Sequence, residues 1–116
     1  MDVYQIHCNL KPGVRDHEWV PRLTAYLERL RTEGKLESFR LLRAKLGLTP
    51  SVLREFIVQL EFRDLAQLDA AFSHVATRGE PIESLHHAVN SQVQDAMFAL
   101  YRDFPDPVRQ YGEEKF

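Results

Sequence analysis

The order of secondary-structure patterns along this 116-residue chain constrains its fold more than any other feature. The segment Asp2–Leu10 alternates between two kinds of side chain, a period of two that predicts a strand with one buried face. A helical pattern follows, then two strand-like segments, Leu36–Leu48 and Val52–Phe62, and then helical patterns again. With one more strand near the C-terminus, the order becomes β-α-β-β-α-β, the arrangement of ferredoxin-like α+β sandwiches.

Apolar residues at helical spacing predict the helices. The stripe of the first helix consists of Trp19, Leu23, Leu27 and Leu30. Asp16 is the expected N-cap. Proline in a helix interior costs roughly 3 kcal/mol, so we expect the regular helix to begin near Val20, with Pro21 in its first turn. The second helix is predicted to begin at Asp64, because Gln67 three residues later completes a capping-box pattern.

The segment after Pro81 admits two interpretations. Helical spacing continues from Ile82 through Leu100, which is compatible with one helix from Pro81 to about Tyr101. Alternatively, Asn and Ser at positions 90 and 91 end an extra helix, and aromatic residues favour a strand over 93–104. In that case we expect a strand paired with Asp2–Leu10, with Phe98 and Leu100, or the residues that alternate with them, packed beneath the helices. Periodicity alone does not decide between the two.

The composition is that of an ordinary globular domain. Hydrophobic residues make up 44% and charged residues 28%, and the net charge of -2 gives no attraction to nucleic acid or anionic membranes. The single cysteine, Cys8, excludes an intramolecular disulfide and suits a reducing compartment. No signal peptide and no apolar run of about 20 residues is evident. We therefore predict one domain over residues 1–107 and a tail over 108–116, in a cytoplasmic protein with no membrane partner.

His7 is the strongest candidate for chemistry, as a general acid or base. It lies at the centre of the first strand, on its more polar face, and Arg43 is expected on the same side of the sheet as an anion-binding group. The other residues expected to line a ligand-binding pocket there are Gln5, Asn9, Gln59 and Glu61. The simpler interpretation is a histidine hydrogen-bonded within a dimer interface, with Arg43 and Glu61 as a structural ion pair.

Motifs for cofactors and metals are absent from the sequence. It contains no glycine-rich phosphate loop, no nucleophile elbow and no paired cysteines, so we predict no cofactor and no metal site. His86 and His87 point about 100° apart on one helix. Glu83 and His87, or His86 and Asn90, have the spacing of a pair, but two ligands do not make a zinc site. RNA-binding proteins share this element order, but Glu55 and Glu61 on the third strand would repel phosphate, so no nucleic-acid partner is predicted.

Four strings occur in the order ESFRLLRAKLGL, RDLAQLDAAF, HHAVNSQV and FALYRDFPD. From about Val3 to Pro107 the chain resembles a small bacterial domain family of unknown function in the dimeric α+β-barrel superfamily. That superfamily also contains stress-responsive barrel proteins and cofactor-independent monooxygenases. The resemblance implies a ferredoxin-like protomer, a final strand near Gln94–Arg102 and a homodimer formed by two sheets packed face to face. It implies no functional residues.

The leading functional hypothesis is a homodimer that binds a small organic molecule in a cavity on the polar face of the sheet. That face also carries Val3, Leu53 and Ile57, and this mixture of apolar and polar side chains is typical of an interface. The alternatives are a cofactor-independent enzyme, monooxygenase-like or isomerase-like, and a purely structural dimer module.

Overall fold

The computed structural model describes residues 1–105, so the predicted tail over 108–116 lies outside the described residues. This part of the chain contains four strands and three helices. They are β1 (Asp2–Leu10), α1 (Asp16–Thr32), β2 (Ser38–Arg43), β3 (Phe56–Phe62), α2 (Leu65–Ala76), α3 (Ile82–Asn90) and β4 (Val93–Arg102). A 3₁₀ turn, Ser51–Leu53, precedes β3. The predicted α+β order with an extra helix before the last strand is confirmed.

The strands form one antiparallel sheet in the order β2-β3-β1-β4. The last strand pairs with β1 over almost its whole length, from Asp2 opposite Arg102 to Leu10 opposite Val93. Of the two interpretations of the C-terminal segment, the strand is therefore correct. Within residues 1–105, no helix is long and apolar enough to cross a membrane.

The first helix begins earlier than the sequence predicted. Arg15 is its N-cap and Asp16 its first residue, and Pro21 lies inside the helix. The expected start near Val20 was wrong because Pro21 forgoes one backbone hydrogen bond while the preceding turn gains tertiary packing. Trp19 in that turn is 1% exposed and packs on Phe56, with ring centroids 5.3 Å apart. The negative charge of Asp16 in the first turn interacts favourably with the positive end of the helix dipole.

The strands β2 and β3 are shorter than predicted. Residues 44–55 form turns in which Leu46 and Arg54 adopt positive φ angles of 58° and 69°, outside the β region. By contrast, the predicted start of α2 is confirmed, because the Asp64 side chain accepts a hydrogen bond from the Gln67 backbone N–H at 2.9 Å.

The helices pack on one face of the sheet and form the core there. Alternate residues of β3 are buried on this face together with Cys8 of β1. Phe98 and Leu100 lie on the same face, one of the two predicted alternations, but they remain 62% and 52% exposed, so the helices do not cover them as expected. The edge strand β4 thus leaves apolar side chains uncovered on the helix side.

Candidate functional site

The open face of the sheet, opposite the helices, holds His7 in a hydrogen-bonded network. Its Nδ1 lies 3.2 Å from the carbonyl oxygen of Leu53, and its Nε2 lies 3.1 Å from Oε1 of Gln5. Gln5 in turn donates from Nε2 to Oε1 of Gln59 at 3.2 Å. Both neighbours are acceptors, so a neutral imidazole donates to one of them while its other nitrogen faces a second acceptor. An acid or base role for His7 stays a prediction.

Asn9 and Glu61, the other residues predicted to bind a ligand on this face, are also engaged. Asn9 accepts a hydrogen bond from the Glu55 backbone N–H at 2.8 Å and donates one to Oδ2 of Asp95 at 3.2 Å. Glu61 accepts from the Ser38 hydroxyl at 2.7 Å. Their side chains link neighbouring strands, which is a structural use of the polar groups.

Arg43 does not lie near His7. In the register of the sheet it pairs with Phe56, whereas His7 pairs with Ile57, so the two side chains belong to opposite faces. The expected closeness to His7 and to Glu61 was therefore wrong.

Arg43 instead belongs to an ion-pair cluster at the edge of the helix layer. Its guanidinium lies 2.7 Å from Asp16 and 2.8 Å from Glu55, and it covers the ring of Phe56 at 5.3 Å. The hydrogen bonds that Asp16 accepts from the His17 backbone and from Arg43 lower the pKa of its carboxyl group. Two carboxylates already neutralise Arg43, which opposes the predicted anion-binding role.

A cavity of about 360 Å³ lies on the helix side of the sheet, between the strands and all three helices. Its lining is mostly apolar and includes Ile6, Cys8, Leu23, Leu27, Val58 and Leu60. Cys8 is 1% exposed, and burial raises the pKa of its thiol to about 11. The cavity has the size and character of a site for a small apolar ligand.

Aromatic rings form part of the cavity wall near β4. Tyr4 meets Phe72 edge-on, with centroids 5.2 Å apart, and stacks on Phe98 with centroids 6.0 Å apart and an interplanar angle of 10°. Phe72 and Phe98 are both partly exposed, so this cluster marks a place where the cavity meets solvent. Burial raises the pKa of the Tyr4 hydroxyl.

Polar groups enter the cavity from two helices. Tyr26 of α1 and His86 of α3 lie with ring centroids 5.4 Å apart, and Asn90 follows His86 by one turn. Burial lowers the pKa of His86 and raises that of Tyr26 to about 12. Within residues 1–105, no hydrogen bond reaches the Tyr26 hydroxyl, the His86 ring or the Asn90 amide.

This polar trio, Tyr26, His86 and Asn90, was missed as a site from the sequence. Two of its members share the four-residue spacing noted above, and Tyr26 falls beside the apolar stripe of α1. Polar residues among the apolar positions of two packed helices were the available signal. In the described part of the chain, no group of three His, Cys, Asp or Glu residues could hold a metal ion.

Comparison with solved structures shows where this fold recurs. The chain is similar to an Arabidopsis thaliana protein at 8% identity, with a TM-score of 0.72 and coverage of 89% of this chain and 95% of that one. A structure named antibiotic biosynthesis monooxygenase matches at 23% identity, with a TM-score of 0.64 and coverage of 90% and 100%. A dimeric ferredoxin-like protein of unknown function from Jannaschia sp. CCS1 matches at 16% identity, with a TM-score of 0.60 and coverage of 89% and 100%.

Sequence identities this low establish a shared fold but no shared function. No curated protein matches the chain significantly. One family model matches it over residues 1–116, and the chain therefore belongs to the family of unknown function DUF6614.

Proposed function

We propose that this protein binds a small, predominantly apolar organic molecule in the cavity between the sheet and the helices. The observation that carries the proposal is the cavity itself, about 360 Å³ in volume, with an apolar lining and a few polar groups on one side. The polar sheet face is the weaker location, since its His7, Gln5, Asn9 and Glu61 side chains already bond to one another or to neighbouring strands.

The binding protein is proposed to be a homodimer joined through the open sheet face. Apolar Val3, Ile57 and Met97 lie on that face between polar side chains, and a face of this mixture is typical of an interface. The similarity to structures named as dimeric ferredoxin-like proteins supports a dimer.

Trp19 makes ligand entry directly measurable. It is the single tryptophan of the chain and lines the cavity. We expect the neutral dye 1-aminoanthracene to quench Trp19 emission through energy transfer and to gain fluorescence itself on entering the apolar space. Native mass spectrometry of the purified protein would report a retained ligand and the subunit number together.

A matched pair of variants on α2 tests the location. Ala76→Phe adds a ring to an exposed residue that lines the cavity, whereas Ala70→Phe adds the same ring to an exposed residue of the same helix outside the lining. We expect the first to weaken dye binding and the second to leave it unchanged. Equal effects of the two changes, or no dye binding by the native protein, would refute the proposal and favour a purely structural module.

An enzymatic role is the second candidate, favoured by His86. Its lowered pKa keeps the imidazole neutral at neutral pH, so that it can accept a proton from a ligand in the cavity. The similarity to structures named as antibiotic biosynthesis monooxygenases is compatible with this role. Mass analysis of a bound compound before and after aerobic incubation distinguishes turnover from simple binding.

A further inference from the structure

We propose that the cavity takes a neutral aromatic compound that carries a hydroxyl group, which bonds to the polar trio of Tyr26, His86 and Asn90. The inference rests on the proposed binding function of the cavity and names the class of its ligand.

The hydrogen-bonding capacity of the trio argues for the hydroxyl group. All three side chains line the cavity, and none has a hydrogen-bond partner within residues 1–105. A neutral imidazole offers one donor and one acceptor, and so does a phenolic hydroxyl. Tyr26 and His86 are half-buried and Asn90 is exposed, so water can reach these groups in the free protein. A ligand hydroxyl can donate to one member of the trio while accepting from another, whereas a hydrocarbon that displaces this water would leave these groups unpaired.

The charge of the lining argues for a neutral ligand. No arginine, lysine or carboxylate is among the described residues that line the cavity. Its titratable groups are uncharged near neutral pH, because burial raises the pKa of Cys8 to about 11 and that of Tyr26 to about 12 and lowers the pKa of His86. A carboxylate ligand would therefore be buried with no cation to pair with it.

The aromatic cluster argues for a planar ring system. Tyr4 already stacks on Phe98 and meets Phe72 edge-on, and both phenylalanines have exposed ring surface beside the cavity. Aromatic rings prefer offset-stacked and edge-to-face contacts with one another. A flat aromatic ligand can extend this cluster, and a flexible chain would gain less from it.

Three naphthalene derivatives of similar size test the ligand class by displacement of 1-aminoanthracene. They are 2-naphthol, with a neutral hydroxyl, 2-methylnaphthalene, with an apolar group, and 2-naphthoate, with a carboxylate. We expect 2-naphthol to bind roughly three- to tenfold more tightly than 2-methylnaphthalene, the range that one or two net hydrogen bonds give, and 2-naphthoate to bind most weakly.

Two adjacent histidines of α3 supply the variants. His86→Phe keeps an aromatic ring beside Tyr26 but removes both ring nitrogens, so it should reduce the preference for 2-naphthol. His87→Phe, at an exposed position next to it, should leave that preference unchanged. An undiminished preference in His86→Phe would overturn the assignment.

The comparison of the three compounds on the native protein decides the ligand class even where a variant fails to fold. Equal affinity for 2-naphthol and 2-methylnaphthalene, or tightest binding of 2-naphthoate, would overturn the ligand class while leaving the binding function standing. Failure of the dye and of all three compounds to bind would overturn both.

Discussion

Alkaline pH should destabilise this protein through a single thiol at the floor of the cavity. Cys8 is 1% exposed, and its pKa is about 11 in the folded protein against an ordinary value of 9.0. Between these values the unfolded chain loses its thiol proton while the folded protein keeps it. The stabilisation is therefore fully present below pH 9 and is lost as the pH rises toward 11.

The size of the effect follows from the pKa difference. One pKa unit corresponds to about 1.4 kcal/mol, so the free energy of unfolding should fall by about 1.4 kcal/mol between about pH 8 and about pH 10. The full two-unit difference gives about 2.7 kcal/mol above pH 11. The raised pKa of Tyr26 also destabilises the folded protein at alkaline pH. Because the ordinary pKa of tyrosine is 10.0, most of this loss of stability occurs above pH 10.

Urea unfolding of the native protein and of Cys8→Ala at about pH 8 and about pH 10 measures this loss. The variant starts from a lower stability because it leaves a small void, but its stability should fall less with pH than that of the native protein. The ultraviolet absorbance of the thiolate should appear in the folded protein only near pH 11. An identical loss in both proteins, or a thiolate that forms near pH 9, would show that water reaches the cavity floor.

Two further changes test the dimer and the polar trio. Ile57→Lys should dissociate the proposed homodimer in sedimentation experiments, because it places a charge at the centre of the open face. The control Leu46→Lys, at an 89% exposed position, should leave the dimer intact. A native protein that sediments as a monomer at high concentration would contradict the dimer. Burial lowers the pKa of His86 below its ordinary 6.5, so the folded protein holds fewer protons than the unfolded chain and loses stability as the pH falls below 6.5. Thermal unfolding at neutral and mildly acid pH should show a smaller acid loss in His86→Phe than in His87→Phe, and equal losses would contradict this.

The fold was largely predictable because periodicity is a local property. The alternation of side chains along β1 and β3 shows which face of each strand is buried. The apolar stripe that contains Trp19 shows the same for α1. The segment from Val93 to Arg102 could not be assigned in this way, because its apolar residues satisfy both periods. Pairing with β1, a contact between residues almost a hundred positions apart, settles it as a strand.

The candidate site was less predictable because it depends on packing between elements. Arg43 shares an alternation with Phe39 and Leu41, and only the register with β3 shows that this alternation faces the helices, away from His7. The cavity has no sequence signature of its own, since it is the space left where three helices meet one sheet. The contact between Tyr26 of α1 and His86 of α3 likewise depends on how the two helices pack, which no local pattern shows.

The polar residues of the open face nevertheless contribute to the cavity on the other side. Asp95, with a φ angle of 57°, forms an irregularity in β4 where the register with β1 shifts between His7 and Asn9. Asn9 donates to the Asp95 carboxylate, and Arg54 donates to the Asp95 carbonyl oxygen at 2.8 Å. The next residue, Ala96, lines the cavity. Bulges redirect side chains next to binding sites, and these two hydrogen bonds hold the bulge at the residue before the cavity wall. Asn9, predicted to touch a ligand, would then influence its binding through the backbone of β4.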